Sequence, residues 1–294
     1  MNTRLWFFFS CLLWAASPLI CWAGQTVDFL ERFPTGSINW TRGVVTASGS
    51  ASLPDDKDVT GSDAPYFQAR LNAVRNLRST LKQLRLSHRN CIVDLLPTQA
   101  YIQDQVEAMT SAADILNTRR GTNGDIEVTL GFSFFGGFSQ LILPSEIRQV
   151  ESIKPLNGVE SENGGARQPP GAGNSWPTIE PEAYTGLIVD ARGIGAIPSM
   201  VPVLVDENGS EVYGPAYVSR EFAVQHGMCR YLRGTDNADD LPRVAPNPLR
   251  VKGLGAVPEK SCYIVISNSD ASRLRGVSYH LQFLKQCRVV ILLD

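Results

Sequence analysis

The stretch from Cys262 to Leu293 constrains the fold more than any other part of this chain. Tyr263-Ile264-Val265-Ile266 is a short apolar run that reads as a buried strand. Ser269 or Asp270 caps a helix that reaches about Gln286. Arg288-Val289-Val290-Ile291-Leu292-Leu293 is a second buried strand. Strand, helix and strand within about thirty residues predict a βαβ unit with parallel strands and a right-handed crossover. Cys262 and Cys287 then fall near one edge of the sheet. If the two strands are neighbours, a Cys262–Cys287 disulfide is sterically allowed; Cys229 competes for either thiol, and two buried free thiols are the alternative. The sequence closes at Asp294 against its own core strand, so trimming a few C-terminal residues is expected to unfold this domain.

Upstream, the domain opens near Tyr184. Gly186 to Ala191 is a compact apolar strand, and Pro202–Val205 and Glu211–Tyr213 flank Asn208-Gly209, a strong hairpin signal. Residues 151–182 are rich in Gly, Pro, Asn and Glu without periodicity and read as a flexible linker. Before it, Ser37 to Leu53 is strand-like and ends at Leu53-Pro54-Asp55-Asp56. Ala64 to about Leu86 is a long helix whose stripe is Phe67, Leu71, Val74, Leu77, Leu81 and Leu84, with Ser62 and Asp63 as caps and Pro65 in the first turn. Cys91 to Leu95 reads as a short buried strand, and Gln99 to Leu116 as a second helix. After a turn at Thr122-Asn123-Gly124, Asp125 to Phe135 alternates as a half-buried strand, and Phe138 to Leu143 is its expected hairpin partner beyond Gly136-Gly137. The fold class is therefore α+β with α/β character. It comprises two small domains: a helix pair on an antiparallel sheet over residues 24–150, and a mixed sheet ending in a βαβ unit over 183–294.

The first residues bear on location. Met1 to Gly24 carries one early charge, Arg4, then an apolar run, then Cys21-Trp22-Ala23-Gly24. This is the pattern of a secretory signal peptide over 1–23, cleaved after Ala23, with retention as an N-terminal anchor as the rival. Acylation at Cys21 is disfavoured because bulky Leu19-Ile20 precedes it. Removal leaves about 270 residues, suited to two modest domains. The net charge of -2 provides no global field for nucleic acid or anionic lipid. No second apolar stretch reaches spanning length, so the expected product is soluble or peripheral in the periplasm or at the outer membrane.

Candidate chemistry is sparse. His88, His226 and His280 are isolated, and no Cys-x-x-Cys, Walker loop or Gly-x-Ser-x-Gly occurs. No catalytic, cofactor or metal residue is therefore assigned. Arg192-Gly193-Ile194-Gly195 lacks the third glycine of a nucleotide fingerprint, and Pro198 stands where a helix would open, so it reads as a bend after a strand. Asp190 and Arg192 share a strand face and form either an ion pair or a ligand site. Arg70, Arg75, Arg78, Lys82 and Arg85 form a basic face on the long helix. That face either contacts anionic headgroups or an acidic partner, or is neutralised by Asp104, Glu107 and Asp114.

Trp40-Thr41-Arg42-Gly43-Val44-Val45-Thr46-Ala47-Ser48-Gly49, the Ala/Arg/Leu helix after it, Gly124–Thr129 and Gly136-Gly137-Phe138 occur in an order that resembles a known family. It is the bacterial small outer-membrane lipoprotein family that includes the N-terminal domain of flagellar assembly protein T. Tyr184–Gly193, Asp206–Gly209 and Val265–Asn268 look like a partner domain of exported bacterial proteins. The resemblance implies an envelope protein without enzymatic activity. The expected role is structural or assembly-related, around the flagellum or another envelope machine. Its partners would be envelope proteins or further copies of itself, with peripheral outer-membrane contact and no nucleic acid. The alternative is a periplasmic ligand-binding protein with its site near Asp190 and Arg192.

Overall fold

The computed structural model describes residues 27–52, 63–121, 125–148, 184–234, 238–258, 260–276 and 280–294. The leader, the linker, the Ser62 cap, the Pro54 stop and the Thr122-Asn123-Gly124 turn lie outside the described residues.

The chain is α+β, with two regions. In the first, β2 (Leu30–Phe33), β3 (Gly36–Asn39), β4 (Val44–Ala51), β5 (Asp114–Arg120) and β6 (Ile126–Ser133) form an antiparallel sheet in the order β2-β3-β4-β6-β5. The residues expected to form one strand from Ser37 instead make two, because Thr41 to Gly43 turn the chain and Gly43 adopts a φ of 69°. Helix α1 (Ala64–Leu81) lies on the sheet, and α3 (Ala100–Ser111) packs on α1. Val74, Leu77, Leu81 and Leu84 of the expected stripe are buried, but its first two members are not. Phe67 and Leu71 are more than half exposed, while Ala69, Ala73, Leu77 and Thr80 are fully buried. The cause is Gly49 on β4: a Cβ there would collide with the main chain at Ala69 and Ala73. A glycine opposite alanines lets the helix backbone approach the strand closely, so Ala69 and Ala73 take the contact in the first half of α1, while Val74, Leu77 and Leu81 of the expected stripe are buried in the second.

Three other local expectations are corrected. Cys91 to Leu95 is not a strand. It holds a short helix, α2 (Ile92–Leu95), started by a capping box in which Asp94 accepts from the Cys91 N–H at 2.7 Å. The helix expected to reach Leu116 stops at Ser111, and residues from Asp114 pair with β6 instead. The segment after Gly136 is helix α4 (Gly137–Ile142), not a hairpin partner, with Ser139 Oγ donating to the Phe134 carbonyl.

The second region adds β7 (Gly186–Asp190), β8 (Val203–Val205), β9 (Glu211–Tyr213), α5 (Arg220–His226), β10 (Arg230–Arg233), β11 (Pro248–Val257), β12 (Lys260–Ile266), α6 (Asn268–Arg275), α7 (His280–Lys285) and β13 (Val289–Leu293). Its mixed sheet runs β1-β10-β13-β7-β11-β12-β8-β9, where β1 (Val27–Asp28) comes from the N-terminal region and pairs antiparallel with β10. Strands β7 and β13 are parallel and almost wholly buried, as their unbroken apolar sequences require. The Asn208-Gly209 hairpin joins β8 to β9, with Gly209 at a φ of 79°.

The end of the chain keeps its strand, helix and strand order but not the expected pairing. Ser267, not Ser269 or Asp270, caps α6 by accepting from the Asp270 N–H. β12 pairs antiparallel with β11, whereas β13 pairs parallel with β7 and β10. β11 connects the two halves: Pro248–Lys252 ladders with β7, and Gly253–Val257, with two register shifts, ladders with β12.

One hydrophobic cluster runs through both regions. Trp40 packs edge-on against Phe134 at 5.7 Å and against Tyr231 of β10 at 5.9 Å. Thr41 Oγ1 accepts from the Phe29 N–H and donates to the Tyr231 carbonyl at 2.6 Å. Met200 and Val201 N–H groups donate to the Arg85 and Leu86 carbonyls. Arg220 at the start of α5 donates to the carbonyls of Gln140 in α4 and of Leu143, Pro144 and Ile147 in the turn that follows it.

The close approach at Gly49 is testable. Gly49→Val forces α1 off β4 and is expected to cost about 3 kcal/mol or more. Ser50→Val, on the exposed side of the same strand, is expected to change stability by less than about 0.5 kcal/mol. Urea unfolding of both variants checks this, and equal midpoints would contradict the packing.

Candidate functional site

Four residues of the expected basic face, Arg70, Arg75, Arg78 and Lys82, line one open groove of about 530 Å³ beside Glu107 and Ser111, and two of them are tied to α3. Arg78 Nε donates to Thr110 Oγ1 at 2.9 Å, and its Nη2 to the Glu107 carbonyl and Ser111 Oγ. Arg70 donates to the Ser111 carbonyl. These acceptors sit at the C-terminal end of α3, where the helix dipole is negative, rather than on the expected carboxylates of Asp104, Glu107 and Asp114. Arg75 donates to Asn72 Oδ1. Beside Arg78 and Lys82 lies an apolar groove of about 300 Å³ walled by Leu81, Ile92, Leu96 and Val106.

Arg85 leaves that face altogether. Its Nη2 meets both oxygens of Glu31 at 2.6 and 2.8 Å, its Nε donates to the Pro198 carbonyl, and its guanidinium lies 5.7 Å from the Trp40 ring centre. Trp40 Nε1 also donates to Glu31. Arg85 is thus part of the joint between the regions and is unavailable to a partner.

Asp190 and Arg192 form the ion pair. Arg192 Nε and Nη2 engage the two carboxylate oxygens at 2.8 and 2.7 Å. Hydrogen bonding from Arg192 holds the Asp190 carboxyl below its usual range. Gly193 N–H donates to the Asp294 carboxylate, and Gly193 and Gly195 take φ values of 75° and 70°, as a bend requires.

The Cys262–Cys287 disulfide is absent, and Cys91, Cys229, Cys262 and Cys287 are all free thiols. The strand order explains it. β7 and β11 stand between β13 and β12, so the two cysteines are separated by three strand spacings, on the order of 14 Å, against about 6 Å for a disulfide. Cys229 and Cys287 flank neighbouring strands β10 and β13 but remain reduced. Burial raises the Cys229 thiol from 9.0 to about 12 and the Cys287 thiol to about 11.

A further concavity lies between the two regions. It is a cleft of about 690 Å³ whose lining includes Arg42, Arg230, Arg243 and Arg288, with Phe135 and Phe222 on its walls. Arg42 comes from the turn after β3, Arg230 opens β10, Arg243 lies in the loop before β11, and Arg288 precedes β13. Phe135 sits against Gly43 and Gly227, both with φ near 70°, where a Cβ would collide with its ring. No sequence periodicity announces this cleft, because its arginines are scattered from Arg42 to Arg288. Among the described residues, no group of His, Cys, Asp and Glu is placed to hold a metal ion. Likewise no helix there is long and apolar enough to cross a membrane.

Two outcomes follow from the buried thiols. In native protein Cys91, the half-buried one, is expected to react with iodoacetamide ahead of the other three, which become reactive only on denaturation. Stability is expected to fall as pH rises above about 9. There the unfolded thiols ionise while Cys229 and Cys287 stay protonated, at a cost on the order of 1 kcal/mol per thiol per pH unit up to their folded values. Replacing both by Ala should flatten that slope. An identical slope, or rapid native labelling of Cys229, would contradict their burial.

Residues 186–294, from the first residue of β7 to the last of the chain, match the family model of the Treponema pallidum Tp0624 second domain. That region contains the mixed sheet apart from β1, and the match does not extend to residues 27–148. No curated protein matches the chain at a significant level.

Proposed function

We propose that this chain is an exported, non-enzymatic bacterial envelope protein with a structural or assembly role, cleaved after Ala23 and soluble or peripheral to the outer membrane. The signal-peptide pattern supports export, and the likeness to a Treponema pallidum domain supports a bacterial setting. The resemblance of the first region to the lipoprotein family of flagellar assembly protein T makes a flagellum-associated machine the leading context. The rival site at Asp190 and Arg192 is disfavoured because the two charges satisfy each other.

The observation that carries the reading is strand β5. It is one of the two edges of the five-stranded sheet, and all seven of its residues are exposed, including Ile115 and Leu116. An open edge of this length is a template for another strand. Its ends carry opposite charges, Asp114 and Arg120, neither of which has an ion-pair or hydrogen-bond partner among the described residues. Arg119, by contrast, is already paired with Glu127 at 2.6 Å. A second copy pairing antiparallel about Asn117 sets each Asp114 opposite the other copy's Arg120, twice by symmetry. The two sheets then continue into one, and assembly needs no other protein.

Asp114→Arg or Arg120→Asp alone is expected to weaken self-association about tenfold or more, and the double exchange to restore it. Sedimentation velocity across a concentration series, with crosslinking in intact envelopes, measures this. A wild-type protein that stays monomeric and crosslinks to nothing in the envelope would sink the assembly reading.

A further inference from the structure

The cleft between the two regions carries more positive charge than its own residues neutralise. Arg243 donates to three main-chain carbonyls: Cys287 at 2.8 Å, His226 at 2.9 Å and Gly227 at 2.6 Å. Arg288 donates to the carbonyls of Arg243 and Ala245. Carbonyls fix the direction of a guanidinium but leave its charge uncancelled. Arg230 is only partly exposed, and its guanidinium has no hydrogen bond or ion pair among the described residues. Burial, and then the neighbouring Arg243, lower its pKa, which marks a cation held where a cation is disfavoured. The carboxylate within electrostatic reach is Asp28, and it is already engaged by Arg42 Nε at 2.7 Å and Asn39 Nδ2 at 2.8 Å. Arg42 is thus paired with Asp28, while Arg230, Arg243 and Arg288 have no carboxylate ion-pair partner among the described residues.

Such an arrangement is costly unless an anion completes it, since partly desolvated charges are stable only when paired. Of five N–H donors each, Arg243 commits three and Arg288 two to these carbonyls, and charge-assisted donors of this kind suit tetrahedral oxyanions. The walls offer the second half of a ligand site: Phe135 and Phe222 present apolar surface beside the charges. A volume of about 690 Å³ falls within the usual size of small-molecule pockets.

We propose that this cleft binds a phosphate-bearing ligand of at least two negative charges, with its organic portion against Phe135 and Phe222 and Arg230 supplying the principal contact. The site is independent of β5 pairing and adds ligand recognition to an envelope role. Its position, between the regions, differs from the strand end at Asp190 and Arg192.

The test uses inorganic pyrophosphate as the free probe and vesicles containing phosphatidic acid as the lipid probe, both at low ionic strength on the full mature chain. Calorimetric titration is expected to show binding in at least one arm, weakening as salt is added. Arg230→Gln is expected to reduce that affinity about tenfold or more, as loss of a charge-assisted contact requires. Its melting temperature without ligand should be unchanged or higher, because a like charge beside Arg243 is removed. Lys252→Gln, an exposed cation on β11 that does not line the cleft, should bind as wild type does. Loss in the pyrophosphate arm identifies a soluble ligand, and loss in the vesicle arm alone identifies a headgroup. No binding in either arm, or equal affinity in Arg230→Gln and wild type, overturns the proposal.

Discussion

The contact between Trp40 and Tyr231 fixes where everything else in this molecule lies. Trp40 stands in the turn after β3, between Phe134 of the first region and Tyr231 of the second. Its indole N–H is held by Glu31, and Glu31 in turn receives the Arg85 guanidinium. The adjacent Thr41 hydroxyl bonds both Phe29 and Tyr231, so the polar and apolar halves of the joint are both satisfied. Tyr231 hydroxyl closes the arrangement by donating to the Ser199 carbonyl and accepting from the Ser199 N–H. Burying two aromatic rings in this way supplies several kcal/mol that neither region could gain alone.

The cleft is a consequence of that joint. Arg42 follows Thr41 directly, and Phe135 follows Phe134, so pinning the first of each pair aims the second outward beside the interface. From the other region, β10 brings Tyr231 into the core and its neighbour Arg230 to the cleft. Alternation along one strand thus serves packing and charge at once. β1 strengthens the same joint by adding residues from the N-terminal region to the edge of the mixed sheet at β10.

How much of this the sequence reveals depends on the range of the interaction involved. Strands β7 and β13 are legible because burial on both faces demands unbroken apolar runs, and the β8–β9 hairpin because Asn208-Gly209 is specific to its turn. Helix α1 is legible, with most of its buried face through Val74, Leu77 and Leu81, but the exposure of Phe67 and Leu71 is not, since it is decided by Gly49 on another element. β5 was hidden for a related reason. Ile115 and Leu116 extend the apolar pattern of α3, and only pairing with β6 makes them a strand. The order of β12 and β13 in the sheet is set by β11, whose alternation gave no strand expectation, and with it went the disulfide. The arginine cleft lay furthest from reach, because its members are contributed by separate turns and loops that only the joint brings together.

The central claim is that residues on both sides of the 151–182 segment share one core centred on Trp40. Differential scanning calorimetry of the mature chain, followed in parallel by tryptophan fluorescence and far-ultraviolet circular dichroism, tests it most directly. The account predicts one transition, with calorimetric and van't Hoff enthalpies equal and all probes coincident. Two resolved transitions, with the Trp40 signal, isolated by Trp176→Phe, following only the first region, would contradict it.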